Sequence, residues 1–477
     1  MVKNVLEYLE QTEQKYSRKT AVEDGRTSLT YHQLLECSRK IGSGLAAASV
    51  PPQKPAVIFM EKSCLALASM LGAVYAGCFY VCVNPEQPPE RTRKIFEVLK
   101  PAVVLTADEH LEILEETGYE GSRLNPEKLL KGRTHLRLLQ KIRKASGEKD
   151  LLYGMFTSGS TGVPKGITVS HRAVIDFIGH FTELFEISEE DRIGNQAPFD
   201  FDVSVKDIYS FLKTGAALVL IPKEMFVMPP ILIDFLCEKR VTTLIWAVSA
   251  LCVVSGLKGL EYRVPETVNK VLFSGECMPA KQLRIWQKAL PSAVFVNLYG
   301  PSEITCNCTW YKVEREFSDD ERIPIGGPLP GRNVFLLDEK GEKISKTGKP
   351  GEISVSGESL AEGYYGDKKQ TEERFIRYPA DASRCRRTYR TGDLGYYGPE
   401  GLLYFCGRKD FQIKHMGHRI ELEEIEHAIS SMEGVSRGYC VFDREKNYIM
   451  AFYVGKAQEA WVRRELKKKV PAYMLDT

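Results

Sequence analysis

The stretch that most constrains this chain is Thr157-Ser158-Gly159-Ser160-Thr161-Gly162-Val163-Pro164-Lys165-Gly166. Hydroxyls and glycines crowd into it, with one lysine near its end. The residues before it, Leu151-Leu152-Tyr153-Gly154-Met155-Phe156, read as a buried strand. From Ser170-His171-Arg172 onward an apolar-periodic segment reads as a helix. Glycines let backbone N–H groups approach an anion with no Cβ in the way, the hydroxyls add donors, and Lys165 adds a charge. That combination suits a polyphosphate. A flexible Ser/Gly surface loop would need neither the flanking strand nor the lysine. The Walker pattern fails on spacing, because Pro164 precedes Lys165 and Gly166 follows it.

A chain of 477 residues predicts two or three units with substantial cores. Its 43% hydrophobic and 27% charged content is that of a soluble globular protein. A net charge of +2 gives no reason to expect nucleic acid or an anionic membrane as partner. The basic run Arg463 to Lys469 reads as the solvated face of a helix. The start, Met1-Val2-Lys3-Asn4, opens a charged amphipathic helix and not a signal peptide, and no apolar run reaches the length of a membrane span. The 12 cysteines are scattered, often inside apolar runs, and read as reduced thiols of a cytoplasmic protein. Cys306-Asn307-Cys308 lacks zinc spacing and a completing pair, so no metal is expected there.

Up to about residue 106, helices alternate with the strands Ala56 to Met60, Phe79 to Val83 and Ala102 to Thr106. This argues for a mostly parallel sheet with helices on both faces. Residues from about 108 to 150, rich in Lys, Glu and Arg, read as a surface connection. Beyond the loop the alternation resumes, with strands at Leu218 to Ile221, Leu244 to Trp246, Lys270 to Phe273 and Val294 to Asn297. From about 320 to 405, short strands with Gly and Pro turns predict a β-rich subdomain. The expected division is an N-terminal core over 1–409 and a smaller α+β unit over 410–477.

Two further stretches carry chemistry. Asn297-Leu298-Tyr299-Gly300-Pro301-Ser302-Glu303 ends a buried strand at the carboxyl edge of a parallel sheet, where such folds bind ligands. Tyr299 offers a flat face for a purine, and Glu303 a hard oxygen ligand for Mg²⁺. In Tyr389-Arg390-Thr391-Gly392-Asp393, an acid after a tight turn can accept both ribose hydroxyls, although such a turn alone is common. His415 and His418 read as exposed polar residues beside a turn.

At these motifs the chain resembles the adenylate-forming enzymes: acyl-CoA synthetases, luciferases and the adenylation domains of nonribosomal peptide synthetases. Asn84-Pro85 to Glu90-Arg91 resembles another stretch of that family, with Asn in place of an Asp. The resemblance implies an α/β fold of two mostly parallel sheets with flanking helices, a β-rich subdomain, and a small mobile C-terminal domain. It implies ATP and Mg²⁺ as cofactors. Lys165, Thr161, Glu303 and Lys414 fall in the catalytic set, with Glu303 on the metal. Thr157, Ser158, Gly159, Ser160, Gly162, Asn297, Tyr299, Gly300, Asp393 and Arg408 fall on the nucleotide. Asp410 matches the hinge about which the small domain turns between two half-reactions, and Gly417 the loop that lets a pantetheine arm pass.

In amino-acid-activating members the aspartate matched by Asp202 pairs with the substrate's α-ammonium, which argues against a fatty or aryl acid. The same placement lines the side-chain pocket with Asp202, Val203, Lys206, Ile245, Leu272, Ser274, Leu298, Cys306 and Asn307. Polar lining groups left unpaired cost about 1–3 kcal/mol each, which favours a small or polar amino acid. Lys206 could instead lie along a helix and point to solvent. The implied reaction is formation of an aminoacyl-adenylate, then transfer to the phosphopantetheine thiol of a carrier protein, with peptide-synthetase adenylation domains and D-alanyl-carrier-protein ligases as the nearest likeness. Members carry an Asn-Gly-Lys about twenty residues after the segment seen here as Pro471-Ala472-Tyr473-Met474. This chain stops at Thr477, which reads as truncation. The alternatives are an acyl-CoA synthetase for a carboxylic acid without an amino group, and an impaired nucleotide-binding relic.

Overall fold

In the computed structural model the described residues are 2–159, 162–381, 384–410, 412–415, 418–443 and 448–475. The expected site residues Ser160, Thr161 and Gly417 lie outside them.

Among the described residues, two sheets form the frame. The first has seven strands, in the order Gly363–Tyr364, Lys165–Ser170, Leu151–Thr157, Phe79–Cys82, Pro55–Phe59, Val103–Thr106, Arg123–Leu124. From Leu151–Thr157 onward its pairs are parallel. The second has nine strands, and its core of Val294–Tyr299, Lys270–Ser274, Thr243–Ala247, Arg192–Asn195 and Ala217–Leu220 is parallel. Such strands are buried on both faces and so read as unbroken apolar runs. The helix Tyr31–Ala47 starts where Thr30 and Gln33 form a reciprocal capping box, and Cys64–Tyr75 starts on the Ser63 hydroxyl. Trp246 and Trp286 are fully buried, with their indole N–H groups donating to Gly194 O at 2.7 Å and Leu251 O at 3.0 Å.

Arg332 to Arg408 supply a six-stranded antiparallel sheet, the expected β-rich subdomain. Beyond it come a hairpin of Gln412–His415 with His418–Glu421, the helix Leu422–Ser430, a second hairpin of Val435–Asp443 with Tyr448–Gly455, and the helix Glu459–Leu466. This C-terminal lobe has its own apolar cluster around Ile420, Ile425, Ile449 and Leu466. No helix among the described residues is long and apolar enough to cross a membrane.

One sequence expectation about the fold fails. Residues 108–150 are not a plain surface connection, since they hold the edge strand Arg123–Leu124 and the helices Leu111–Glu116, Pro126–Leu130 and Leu136–Ala145. Leu139 is buried there among many charges, so composition hid an amphipathic pattern. The helix expected from Ser170 onward is present as His171–Leu184, capped by Ser170, and a strand separates it from the loop. The loop joins two antiparallel strands, with Lys165 paired opposite Thr157.

Candidate active site

The loop, the strand ends and the C-terminal lobe meet around an open cavity. Gly159 has no room for a side chain, because a Cβ there would lie 1.9 Å from Val163 O. Its tight turn is closed by Gly162 N–H donating to Gly159 O at 3.0 Å. Thr157 and Ser158 line the cavity.

The nucleotide candidates cluster at one end. Tyr299 OH donates to Asp393 at 2.6 Å. The antiparallel register sets Asp393 opposite Arg408, whose guanidinium pairs with it. Arg408 also holds Asp410 at 2.6 and 2.9 Å, and these carboxylates push its pKa up despite burial. Asn297 is buried, its amide donating to Pro324 O at 2.8 Å. Lys414 Nζ sits 5.3 Å from the Tyr299 ring centroid, so the face expected for a purine carries a cation.

Glu303 is buried and accepts from Tyr364 OH at 2.8 Å and from Arg419 at 2.8 and 2.9 Å. Burial pushes its pKa up, but Arg419 and Tyr364 outweigh that and hold it down to about 2. Lys165 Nζ lies 3.3 Å from Glu421 Oε1. The C-terminal lobe thus covers the loop with its own charges. Ser158 donates to Arg419 O at 2.7 Å and accepts from Glu421 N–H at 3.0 Å, while Gly159 N–H donates to Glu424 at 3.3 Å. Glu424 in turn pairs with the buried Arg91.

The substrate candidates lie at the other end. Asp202 is the N-cap residue of the helix Val203–Thr214, and its carboxylate accepts from Ser302 Oγ at 2.5 Å. Burial pushes its pKa up. Asp202, Val203, Lys206, Ser274, Cys306 and Asn307 line the cavity, and so does Gly300. Gly300 is required there, since a Cβ would meet Asn307 Cα and Cys306 O at 2.6 Å. Lys206 does not point to solvent; it is 1% exposed.

Ile245, Leu272 and Leu298 are placed differently from expectation. They belong to the apolar core and do not line the cavity, which on their strands is lined by Ala247, Ser274 and Gly300. Each is two residues back from the lining residue, so it shares the same face of its strand but sits deeper in the sheet. The histidine expectation also fails. His415 is buried, and His418 stacks on Tyr473 with centroids 3.7 Å apart at 3°. His415 packs against Phe442 and the half-buried His418 lies between Tyr473 and Phe201, contacts that a local reading of the turn cannot foresee. Arg91, Arg419, Glu421 and Glu424 were likewise missed; the polar–apolar–polar order of Arg419-Ile420-Glu421 was the available signal for one charged strand face.

Known proteins resemble this chain over most of its length. A family described as "AMP-binding enzyme" matches residues 9–365. Tyrocidine synthase 3 of Brevibacillus parabrevis is 30% identical over 480 residues, which is 99% of this chain but 7% of that synthase. D-alanine–D-alanyl carrier protein ligase of Bacillus licheniformis is 31% identical over 471 residues, covering 94% of this chain and 89% of the ligase. The structure of an artificially fused adenylation–PCP di-domain from Klebsiella oxytoca has the same fold, with a TM-score of 0.85 at 22% identity over 99% of this chain and 93% of that one. The chain spans 6%, 13% and 9% of the lengths of three further peptide synthases it matches. With a family match over most of its length and a relative of nearly its own size, the chain belongs to the AMP-binding enzymes.

Proposed function

We propose that this chain activates an amino acid with ATP as an aminoacyl-adenylate and passes the aminoacyl group to the phosphopantetheine thiol of a carrier protein. One observation carries the reading. Asp202 and the loop residues Thr157 and Ser158 line the same cavity as Asp393 and Arg408, which would set an ammonium site, a phosphate site and a ribose site side by side. The likeness to the carrier protein ligase supports the second step.

In the first half-reaction a carboxylate oxygen attacks the α-phosphorus, a new P–O bond forms, and the bond to the β-phosphate breaks to release pyrophosphate. The protein's work is orientation and charge stabilisation. Asp202 takes the α-ammonium, Asp393 and Arg408 hold the ribose end, Tyr299 stacks on the base after Lys414 moves off, and Lys165 with the loop N–H groups faces the phosphates. Glu303, a buried carboxylate whose charge Arg419 now balances, would fit a hard divalent cation taking Arg419's place. A magnesium ion bound there would supply positive charge against the phosphate oxygens. In the second half-reaction the thiol sulfur attacks the acyl carbon, a thioester forms, and AMP leaves. The C-terminal lobe, over 410–477, turns about Asp410 between the two.

The test is ATP–pyrophosphate exchange against a panel of L- and D-amino acids. Exchange with one or a few of them supports the reading. Exchange only with carboxylic acids lacking an amino group would replace it with the acyl-CoA synthetase reading.

A further inference from the structure

The substrate end of the cavity holds a cation for which the mechanism above has no use. Lys206 lies one helical turn beyond Asp202 and is fully buried. Its ammonium donates to Ser274 Oγ at 3.2 Å and to Asn307 Oδ1 at 3.0 Å. Both acceptors are neutral. An ammonium carries three donors, so one has no acceptor among the described residues. Burial lowers the lysine's pKa, and the nearby Asp202 and Asp207 only partly oppose that. Neither acid makes a direct ion pair with it among the described residues: Asp202 is held by Ser302, and Asp207 accepts from Asn195 at 2.6 Å and is itself pushed up to about 7 by burial.

A buried cation facing a cavity without a counterion is an incomplete pair. The spacing adds direction. Four residues of helix rise about 6 Å and return to the same face, so an acid for an ammonium and a base for an anion stand one above the other. We propose that the substrate is an amino acid with a side-chain carboxylate, of the aspartate or glutamate class, whose carboxylate is received by Lys206, Ser274 and Asn307 while Asp202 receives its α-ammonium. This rests on the amino-acid activation reading. A neutral side chain would leave Lys206 uncompensated, and a basic one would repel it.

The experiment is calorimetric binding to this chain of 5′-O-(aminoacylsulfamoyl)adenosines, which mimic the adenylate without reacting. The probes are the aspartyl, asparaginyl, glutamyl, glutaminyl and alanyl forms in both L and D series, with AMP as reference. The better acidic probe is expected to bind about 100-fold tighter than its own amide. Lys206→Met is expected to bring that ratio to about 1. Lys206→Gln, which keeps a donor, serves as a second variant should the methionine variant misfold. An amide or alanyl probe that matches or beats the acids overturns the acidic assignment and leaves amino-acid activation standing. So does an acid preference that survives in the variants. Aminoacyl probes no tighter than AMP would overturn the activation reading itself.

Discussion

Arg419 donates through one guanidinium nitrogen to both carboxylate oxygens of Glu303, at 2.8 and 2.9 Å. Two residues along the same strand, Glu421 meets Lys165 at 3.3 Å. Alternate residues share a strand face, so one edge of the C-terminal lobe neutralises both the acid and the lysine that a metal–polyphosphate would engage. A metal–nucleotide bound there would therefore compete with the docked lobe for the same charges, and whatever loosens one would favour the other.

The first prediction tests that competition. Arg419→Gln should strengthen magnesium-dependent ATP binding about tenfold, because the nucleotide no longer has to displace a buried ion pair. Calorimetry with and without Mg²⁺ reads this directly, and the gain should be confined to the Mg²⁺ titration. Unchanged or weaker binding would sink the idea that Arg419 guards Glu303.

Lys165→Ala should cost about 1–3 kcal/mol of stability, since it leaves the buried Glu421 with Gln412 as its side-chain donor among the described residues. ATP affinity should weaken a few-fold, and exchange should slow about 10²-fold or more, as for loss of a donor that faces developing charge. Thermal melts and exchange rates measured on the same preparation check both halves. A full exchange rate would remove Lys165 from the phosphate site.

The fold was legible because parallel strands are buried on both faces and appear as apolar runs of four to six residues, as at Val103 to Thr106. The loop from Thr157 to Gly166 stood out because its glycines, hydroxyls and lysine are neighbours in sequence. What stayed hidden depended on distant contacts. The antiparallel strand Lys165–Ser170 is too polar at its start to stand out. The exposure of His415 and His418 was set by Phe442, Phe201 and Tyr473, which lie outside the motif. The depth of Ile245, Leu272 and Leu298 below the cavity depends on where each strand ends, and ends are the least determined part of a strand read from sequence.

Asp202→Ala should abolish or raise about 100-fold the amino acid concentration needed for exchange, because an ammonium left without its buried partner loses a charge-assisted hydrogen bond and its desolvation is uncompensated. ATP binding should stay within about twofold, since Asp202 faces the substrate end and not the ribose end. Exchange titrations and nucleotide calorimetry separate the two. Equal loss in both would mean that the substitution had disturbed the sheet edge and not an ammonium site.

The last prediction concerns pH. His418 is packed between Tyr473, at 3.7 Å, and Phe201, at 5.3 Å, which joins the C-terminal lobe to the core. Burial, and then the neighbouring Arg91 and His415, push its pKa down to about 4. The docked value lies below the ordinary 6.5, so the undocked or unfolded ring takes up its proton first. The contribution of the neutral ring is therefore complete above pH 6.5 and is lost as pH falls towards 4, with an upper bound of about 3 kcal/mol. Hydrogen exchange of the helix Leu422–Ser430 should accelerate over that window. The core histidine His171, pushed down to about 3, shares the direction but lies far from this helix in the core. Glu303 titrates lower still, near 2, and loses its contribution only below the carboxylate range. His418→Phe keeps the stack and removes the proton site, so it should flatten the pH dependence while leaving exchange at pH 8 unchanged. A slope that persists in this variant would assign the acid sensitivity of the docked lobe to another group.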